Sequence, residues 1–230
     1  MSFFCAASSG PPEYRLLKRT LLHAAMVFFA VLHSAQATQA TSFAAAGFAD
    51  APITADAHYA AGWVASHADN QGMSFVIVDK KNARMFVFEP DGRLRAATAV
   101  LLGAGPGDES VPDIASRDPA GLQLHERTTP AGRFLSEPGR NLKGEDIVWV
   151  DYDAKIAIHR LRPDAAYAQR ALRLASKAAD DKRVSLGCIV VPVGFYEDVV
   201  KPALGHRPGV VYVLPEAGTV QGMFSVLGAS

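Results

Sequence analysis

From residue 74 onward, short apolar runs alternate with turn residues. Ser74-Phe-Val-Ile-Val-Asp79 and Arg84-Met-Phe-Val-Phe88 are rich in β-branched and aromatic side chains. Lys80-Lys-Asn-Ala83 separates them, and the pattern predicts a β-hairpin. Asp91-Gly92 marks a second turn before an apolar stretch from Leu94 to Leu102. Asp146-Ile-Val-Trp-Val150 and Lys155-Ile-Ala-Ile-His159 predict another hairpin around Tyr152-Asp153, and Val210-Val-Tyr-Val-Leu214 a last strand. Helical signals are fewer. Ala57 to about His67 reads as a short helix stopped by Gly72. Ala165 to about Ala179 follows the opening Pro163-Asp164, and Pro192 starts a third helix that runs to Leu204 before Gly205. The polar, turn-rich stretch from Gly103 to His125 predicts a long surface connection. Strands outnumber helices, so the predicted class is mainly β with attached helices, an α+β fold. Phe75, Phe86, Phe88 and Trp149 alternate as core residues do.

The N-terminal third has a different texture. Arg15, Lys18 and Arg19 precede the apolar run Leu21–Leu32, and Ala35-Gln36-Ala37 supplies small residues at a cleavage spacing. Together they predict a secretory signal over residues 1–37; an uncleaved anchor is the alternative. Residues 38–56, rich in Ala and Thr, predict a flexible leader. The remainder, 57–230, predicts one domain with its core over 74–214, and roughly 190 residues are enough for a full core. Lys and Arg total 23 and Asp and Glu total 23, so net charge is zero and no basic footprint points to nucleic acid.

Two cysteines occur in the chain, and Cys5 falls inside the predicted signal. Cys188 is then alone in an exported chain, either a buried packing residue or a reactive thiol. Its setting, Arg183-Val-Ser-Leu-Gly-Cys188-Ile, favours reactivity, because a glycine before a nucleophile lets backbone N–H groups approach a substrate carbonyl. A thiol attacks as thiolate and needs a base or a cation nearby. His159, at the end of a predicted strand, is the candidate base and later the proton donor to the leaving amine. The backbone N–H groups of Gly187 and Cys188 are the candidate oxyanion hole, and Ser185 is expected to brace the loop.

Taken with His159 upstream, Ser185-Leu-Gly-Cys-Ile189 resembles the signature of the L,D-transpeptidases (YkuD-like domains). Val78-Asp-Lys80, Val100-Leu-Leu-Gly103, Gly107-Asp108, Arg127-Thr-Thr-Pro-Ala-Gly-Arg-Phe134 and Gly187 through Tyr196 resemble one proteobacterial branch. The resemblance spans roughly residues 74–214. It implies a β-sandwich or barrel domain, Cys188 as nucleophile and His159 as general base. Arg183, Thr129 and Gly132 become substrate-binding candidates.

The substrate class it implies is the peptidoglycan stem peptide. Cys188 would attack the L-centre to D-centre bond of a tetrapeptide, releasing D-alanine and leaving a thioester. An amine, on a neighbouring stem or an envelope-protein lysine, or else water, would resolve it. Carbapenems are the implied inhibitors, and the periplasm or cell envelope the implied compartment. An L,D-carboxypeptidase or amidase, and a wall-binding domain without turnover, are the alternatives. Two positions depart from the family pattern: Val190 stands where Asn or Arg is usual, and Leu186 where His or an aromatic is. Arg183 is the expected substitute for the polar group missing at 190.

Other chemistries find little support. Gly103-Ala-Gly-Pro-Gly107 lacks the third glycine of a dinucleotide fingerprint and no Gly-Lys-Ser/Thr follows it. The spacing of Asp108, Glu109, Asp113 and Asp118 matches no calcium loop. One cysteine with scattered histidines argues against zinc. No cofactor and no metal is expected. His125 and His206 are expected at the surface.

Overall fold

Runs of Val, Ile and Phe without polar breaks make strands that are buried on both faces, and β1 (Phe75–Asp79) is such a strand. It pairs antiparallel with β2 (Arg84–Phe88), with Phe75 opposite Phe88 and Asp79 opposite Arg84, so the predicted hairpin forms. A computed structural model describes residues 53–229. The expected signal peptide and most of the expected leader lie outside the described residues. β3 (Leu94–Ala99) extends the hairpin, and β10 (Gly209–Val213) lies parallel to β1 on its other side.

β5 (Gly132–Arg140) pairs with β10 and is followed across the sheet by β6 (Asp146–Asp151), β7 (Ile156–Arg160) and β9 (Ile189–Val191). The strand order is β3-β2-β1-β10-β5-β6-β7-β9. Beyond β3 the chain crosses to the far edge, where Leu101 and Val190 exchange two backbone hydrogen bonds of 2.9 Å each. That bridge brings the sheet close to a closed barrel and leaves little free strand edge. A short parallel pair, β4 (Leu102–Gly103) with β8 (Arg183–Ser185), continues from it.

β5 was not predicted. Its sequence, GRFLSEPGR, is polar and carries a proline, and its burial is irregular. Ser136 at its middle is fully buried and donates to the Gly209 carbonyl at 3.0 Å, which satisfies a hydroxyl that apolar patterning would exclude.

Three clusters make up the interior. The largest lies on the inner face of the sheet, where Val76, Val148, Ile158, Ile189 and Val211 meet Phe195, Tyr196 and Leu204. The last three belong to a helical run, α3 (Val193–Phe195), a π-turn Tyr196–Val200 and α4 (Lys201–Leu204), which starts at Pro192 and stops at Gly205 as expected.

A second cluster lies on the outer face of β1, β2 and β10, under α1 (Ala55–His67) and α5 (Val220–Leu227). Thr54 caps α1 and Thr219 caps α5, each accepting an N–H of the first turn. α5 was also absent from the sequence reading. The third cluster joins Leu101, Val190 and Leu161 to Leu174 of α2 (Tyr167–Ala175), a helix shorter than predicted. Among the described residues no helix is long and apolar enough to cross a membrane.

Candidate active site

The site is built where β7 and β9 run parallel. Ile158 pairs with Ile189 and His159 with Val190. Ile158 and Ile189 face the inner core, so the alternation of strands turns Ala157, His159, Cys188 and Val190 to the other face. Residues 29 apart in sequence thus share one face of neighbouring strands, after an excursion through α2.

His159 is 9% exposed, and its Nδ1 bonds the Arg160 carbonyl at 2.8 Å. Nδ1 is therefore the protonated nitrogen, and Nε2 keeps its lone pair for a proton. A backbone carbonyl orients the ring where a carboxylate often does. Burial pushes the imidazole down to about 4; Arg162 and Arg170 push the same way against the Arg160 carbonyl and Glu145. At neutral pH the ring is a neutral base.

The Cys188 thiol is held up by burial, with the Ala157 N–H and the Arg162 charge pulling it down. At rest Sγ donates to the Lys155 carbonyl at 3.6 Å. The resting pair is accordingly thiol and neutral imidazole. Desolvation outweighs one cation and one amide, so the thiol stays above its ordinary range.

The loop before the nucleophile is strapped from several sides. Gly187 sits at φ +126°, and a Cβ there would come within 2.7 Å of Ile156 and 2.8 Å of the Thr128 carbonyl, so only glycine fits. Ser185 braces the loop as expected: Oγ donates to the Cys188 carbonyl at 2.6 Å and accepts the Gly187 N–H at 3.1 Å. That second bond commits the Gly187 N–H, one of the predicted oxyanion pair, within the loop. The exposed Leu186 makes the tip of this loop.

The three substrate-binding candidates each make internal contacts. Thr129 is fully buried; its hydroxyl accepts the Gly103 N–H at 2.9 Å and donates to the Gly187 carbonyl at 2.8 Å. It ties the loop before Cys188 to Gly103. Gly132 opens β5 opposite Val213 at φ +150°, where a Cβ would press on the Phe134 ring. Arg183 donates to the Lys80 carbonyl at 3.1 Å and to the Glu216 carboxylate at 2.7 Å.

Arg183 joins a charge cluster centred on Lys80, whose side chain is fully buried. Lys80 Nζ meets Asp108 at 2.7 Å and donates to the carbonyls of Gly107 at 2.6 Å and Thr129 at 2.9 Å. Burial pushes this ammonium down and Asp108 pulls it back up. Burial also opposes the Asp108 charge, but the N–H of Glu216, Lys80 and the N–H of Ala217 hold its carboxyl down to about 2. Asp108 thus belongs to a structural anchor linking the 103–108 loop to the chain after β10.

Val190 packs against Leu101, Leu161 and Leu174 opposite His159. It places a buried aliphatic side chain next to the imidazole on the neighbouring strand. The cation facing the pair is Arg162, a residue the sequence reading passed over. Arg160, Arg162 and Arg170 form an arginine group beside His159, held by Glu197 at 3.0 Å, by Glu145 at 3.4 Å and by Asp164. The string His159-Arg-Leu-Arg162 was the available signal. His125 and His206 are exposed as expected.

Trp149 is a correction: it is half-exposed on the site face, while Phe75, Phe86 and Phe88 are in the core. Among the described residues no three His, Cys, Asp or Glu side chains are grouped to hold a metal ion.

Compared with known proteins, the chain matches no family model and no curated protein. It is similar to solved structures of L,D-transpeptidases. One is that of Xylanimonas cellulosilytica, at 16% identity over 61% of this chain and 60% of that one, with a TM-score of 0.37. Another is the catalytic domain from E. faecium, at 17% identity over 61% of this chain and 96% of that one, with a TM-score of 0.34. A third similar structure is the helical cell shape determining protein Pgp2 from Campylobacter jejuni, at 14% identity over 69% of this chain and 56% of that one, with a TM-score of 0.43. The chain spans less than two thirds of the length of the first and third of these.

Proposed function

We propose that this chain is an exported cysteine acyltransferase acting on peptidoglycan stem peptides, an L,D-transpeptidase in activity. The observation that carries the reading is the pairing of β7 with β9. It sets the Cys188 thiol and a tautomer-fixed imidazole on one face, behind a loop that only glycine can make.

In this reading Sγ leaves the Lys155 carbonyl and turns toward His159 when a substrate carbonyl arrives. His159 Nε2 takes the thiol proton as the C–S bond forms, since neither group is charged beforehand. The Cys188 N–H donates to the oxyanion, a contact of about 3 kcal/mol in such sites. The imidazolium then gives its proton to the departing amine of D-alanine, leaving a thioester. Arg162 supplies positive charge beside the developing thiolate, the part expected of Arg183. An amine or water resolves the thioester, giving a cross-link or a trimmed stem.

Disaccharide-tetrapeptide incubated with the full chain and with Cys188→Ala tests the reading by mass spectrometry. Dimers formed only by the unmutated chain support transpeptidation, whereas tripeptide without dimers moves the assignment to hydrolase. A wall-binding domain without turnover is the second reading, favoured by the raised Cys188 thiol; intact substrate with both proteins would select it. A carbapenem adduct on Cys188 would argue against it.

A further inference from the structure

The outer side of β6 and the turn that leads into β7 carry a groove of about 1020 Å³ that ends at Lys155, the residue whose carbonyl accepts the Cys188 thiol. Leu142, Trp149 and Tyr152 line it, with Asp113 and Asp153 at its rim. Its floor is ordered by strand register. Trp149 pairs with Ala157 across β6 and β7, and Ala157 directs its N–H at the sulfur of Cys188 on the next strand. Indole and alanine methyl therefore share one face of neighbouring strands, and the thiol lies beside the backbone of the second, between the Lys155 carbonyl and the Ala157 N–H.

The indole is a prepared platform. It lies across Gly139 of β5, where a Cβ would come within 2.4 Å of its Cδ1, so the glycine is needed to seat the ring. Tyr152 meets it edge-on at 5.1 Å and 72°. The face of an indole carries negative quadrupole density, which suits the polarised C–H face of a pyranose ring, and the rim carboxylates accept from its hydroxyl and amide groups.

Distance selects among ligands. Two strand spacings separate Trp149 from Cys188, about 10 Å. An acceptor amine must reach the thioester carbonyl at about 3 Å, so it does not rest on this ring. Three extended residues span about 10 Å, which is the length of stem between the attacked bond and the sugar of a tetrapeptide donor.

We propose that the groove is a saccharide subsite, in which Trp149 and Tyr152 hold the amino-sugar ring bearing the donor stem. The inference rests on the acyltransferase reading for the identity of its ligand, and its test separates the two. Trp149 and Trp63 are the two tryptophans of the chain, and Trp63 packs between His67 and Phe224. Titration of the full chain and of Cys188→Ala with the peptide-free N-acetylglucosamine–N-acetylmuramic acid disaccharide should quench fluorescence, and Trp149→Phe should abolish the change.

In steady state, kcat/KM should be at least tenfold higher for disaccharide-tetrapeptide than for free tetrapeptide. Tyr152→Ala should bring that ratio toward one. Equal turnover of both donors with no quench would overturn the subsite and leave the acyltransferase standing. Quench that depends on Trp149, with neither donor turned over, would do the reverse.

Discussion

The two ends of the sheet are built alike and used differently. Around β1, β2 and β10 both faces are covered, one by the inner core and one by α1 and α5, and every residue of β1 and β10 is buried. Around β6, β7 and β9 the inner face is the same apolar layer, but the outer face carries Trp149, Ala157, His159 and Cys188. The covered end gains stability from burial. The other end is covered only in part, with Trp149 and Cys188 half-buried beside a buried His159, and its loop is held by specific polar bonds. Substitutions at the covered end should therefore change stability and those at the partly covered end turnover.

The sharpest separation is expected from Cys188→Ala. It should remove product formation entirely, by at least 10³-fold, while the melting temperature stays within a degree or two; a loss of fold would break the comparison. Phe75→Ala is the converse. Phe75 is fully buried between Phe88, stacked at 4.7 Å, and Tyr212, edge-on at 6.1 Å. Its removal should cost about 4 kcal/mol in denaturant unfolding and leave the thiol chemistry of the folded fraction unchanged.

Lys80→Met tests the anchor between the two ends. It strands Asp108 and Glu216 beside a single cation, Arg183, and frees the Thr129 carbonyl, so stability should fall by about 3 kcal/mol with a loss of turnover beyond that of the unfolded fraction. Unchanged kinetics in the folded protein would detach the anchor from the nucleophile loop.

The buried imidazole makes a pH prediction. The folded pKa of His159 lies below its unfolded value, 6.5 against about 4. The unfolded chain therefore binds the extra proton, and the stabilisation from the neutral ring is complete above pH 6.5 and lost as pH falls toward 4. Thermal melts of the chain and of His159→Gln across that range should converge by about 3 kcal/mol at the acid end. The smallest effect is expected from Ser185→Ala. Losing the bonds to the Gly187 N–H and the Cys188 carbonyl should cost about 1 kcal/mol of stability and lower kcat about tenfold, with KM little changed.

How much of this was legible in the sequence follows the same division. β1, β2, β7 and β10 were readable because burial on one or both faces writes itself as apolar runs or alternation. β5 was not, since its central position is satisfied by a serine hydroxyl on the Gly209 carbonyl. α5 escaped because its helical face became meaningful only against Tyr212 and Trp63. At the site, Cys188, His159, Gly187 and Ser185 stood out by residue type and spacing. Trp149 read as a core aromatic because alternation says which residues share a face and not whether that face is covered.

By itself, then, the sequence determined the strand runs, the glycine that the loop before Cys188 requires and the two groups proposed for acyl transfer, all properties of local chain chemistry. Tertiary structure alone decided the roles of the charged and polar neighbours. Register placed His159 across from Val190, folding spent Arg183 and Thr129 on internal bonds, and Arg162 became the cation beside the thiol. Those outcomes depend on residues far apart in the chain competing for the same few partners, and that competition is settled only when the sheet closes.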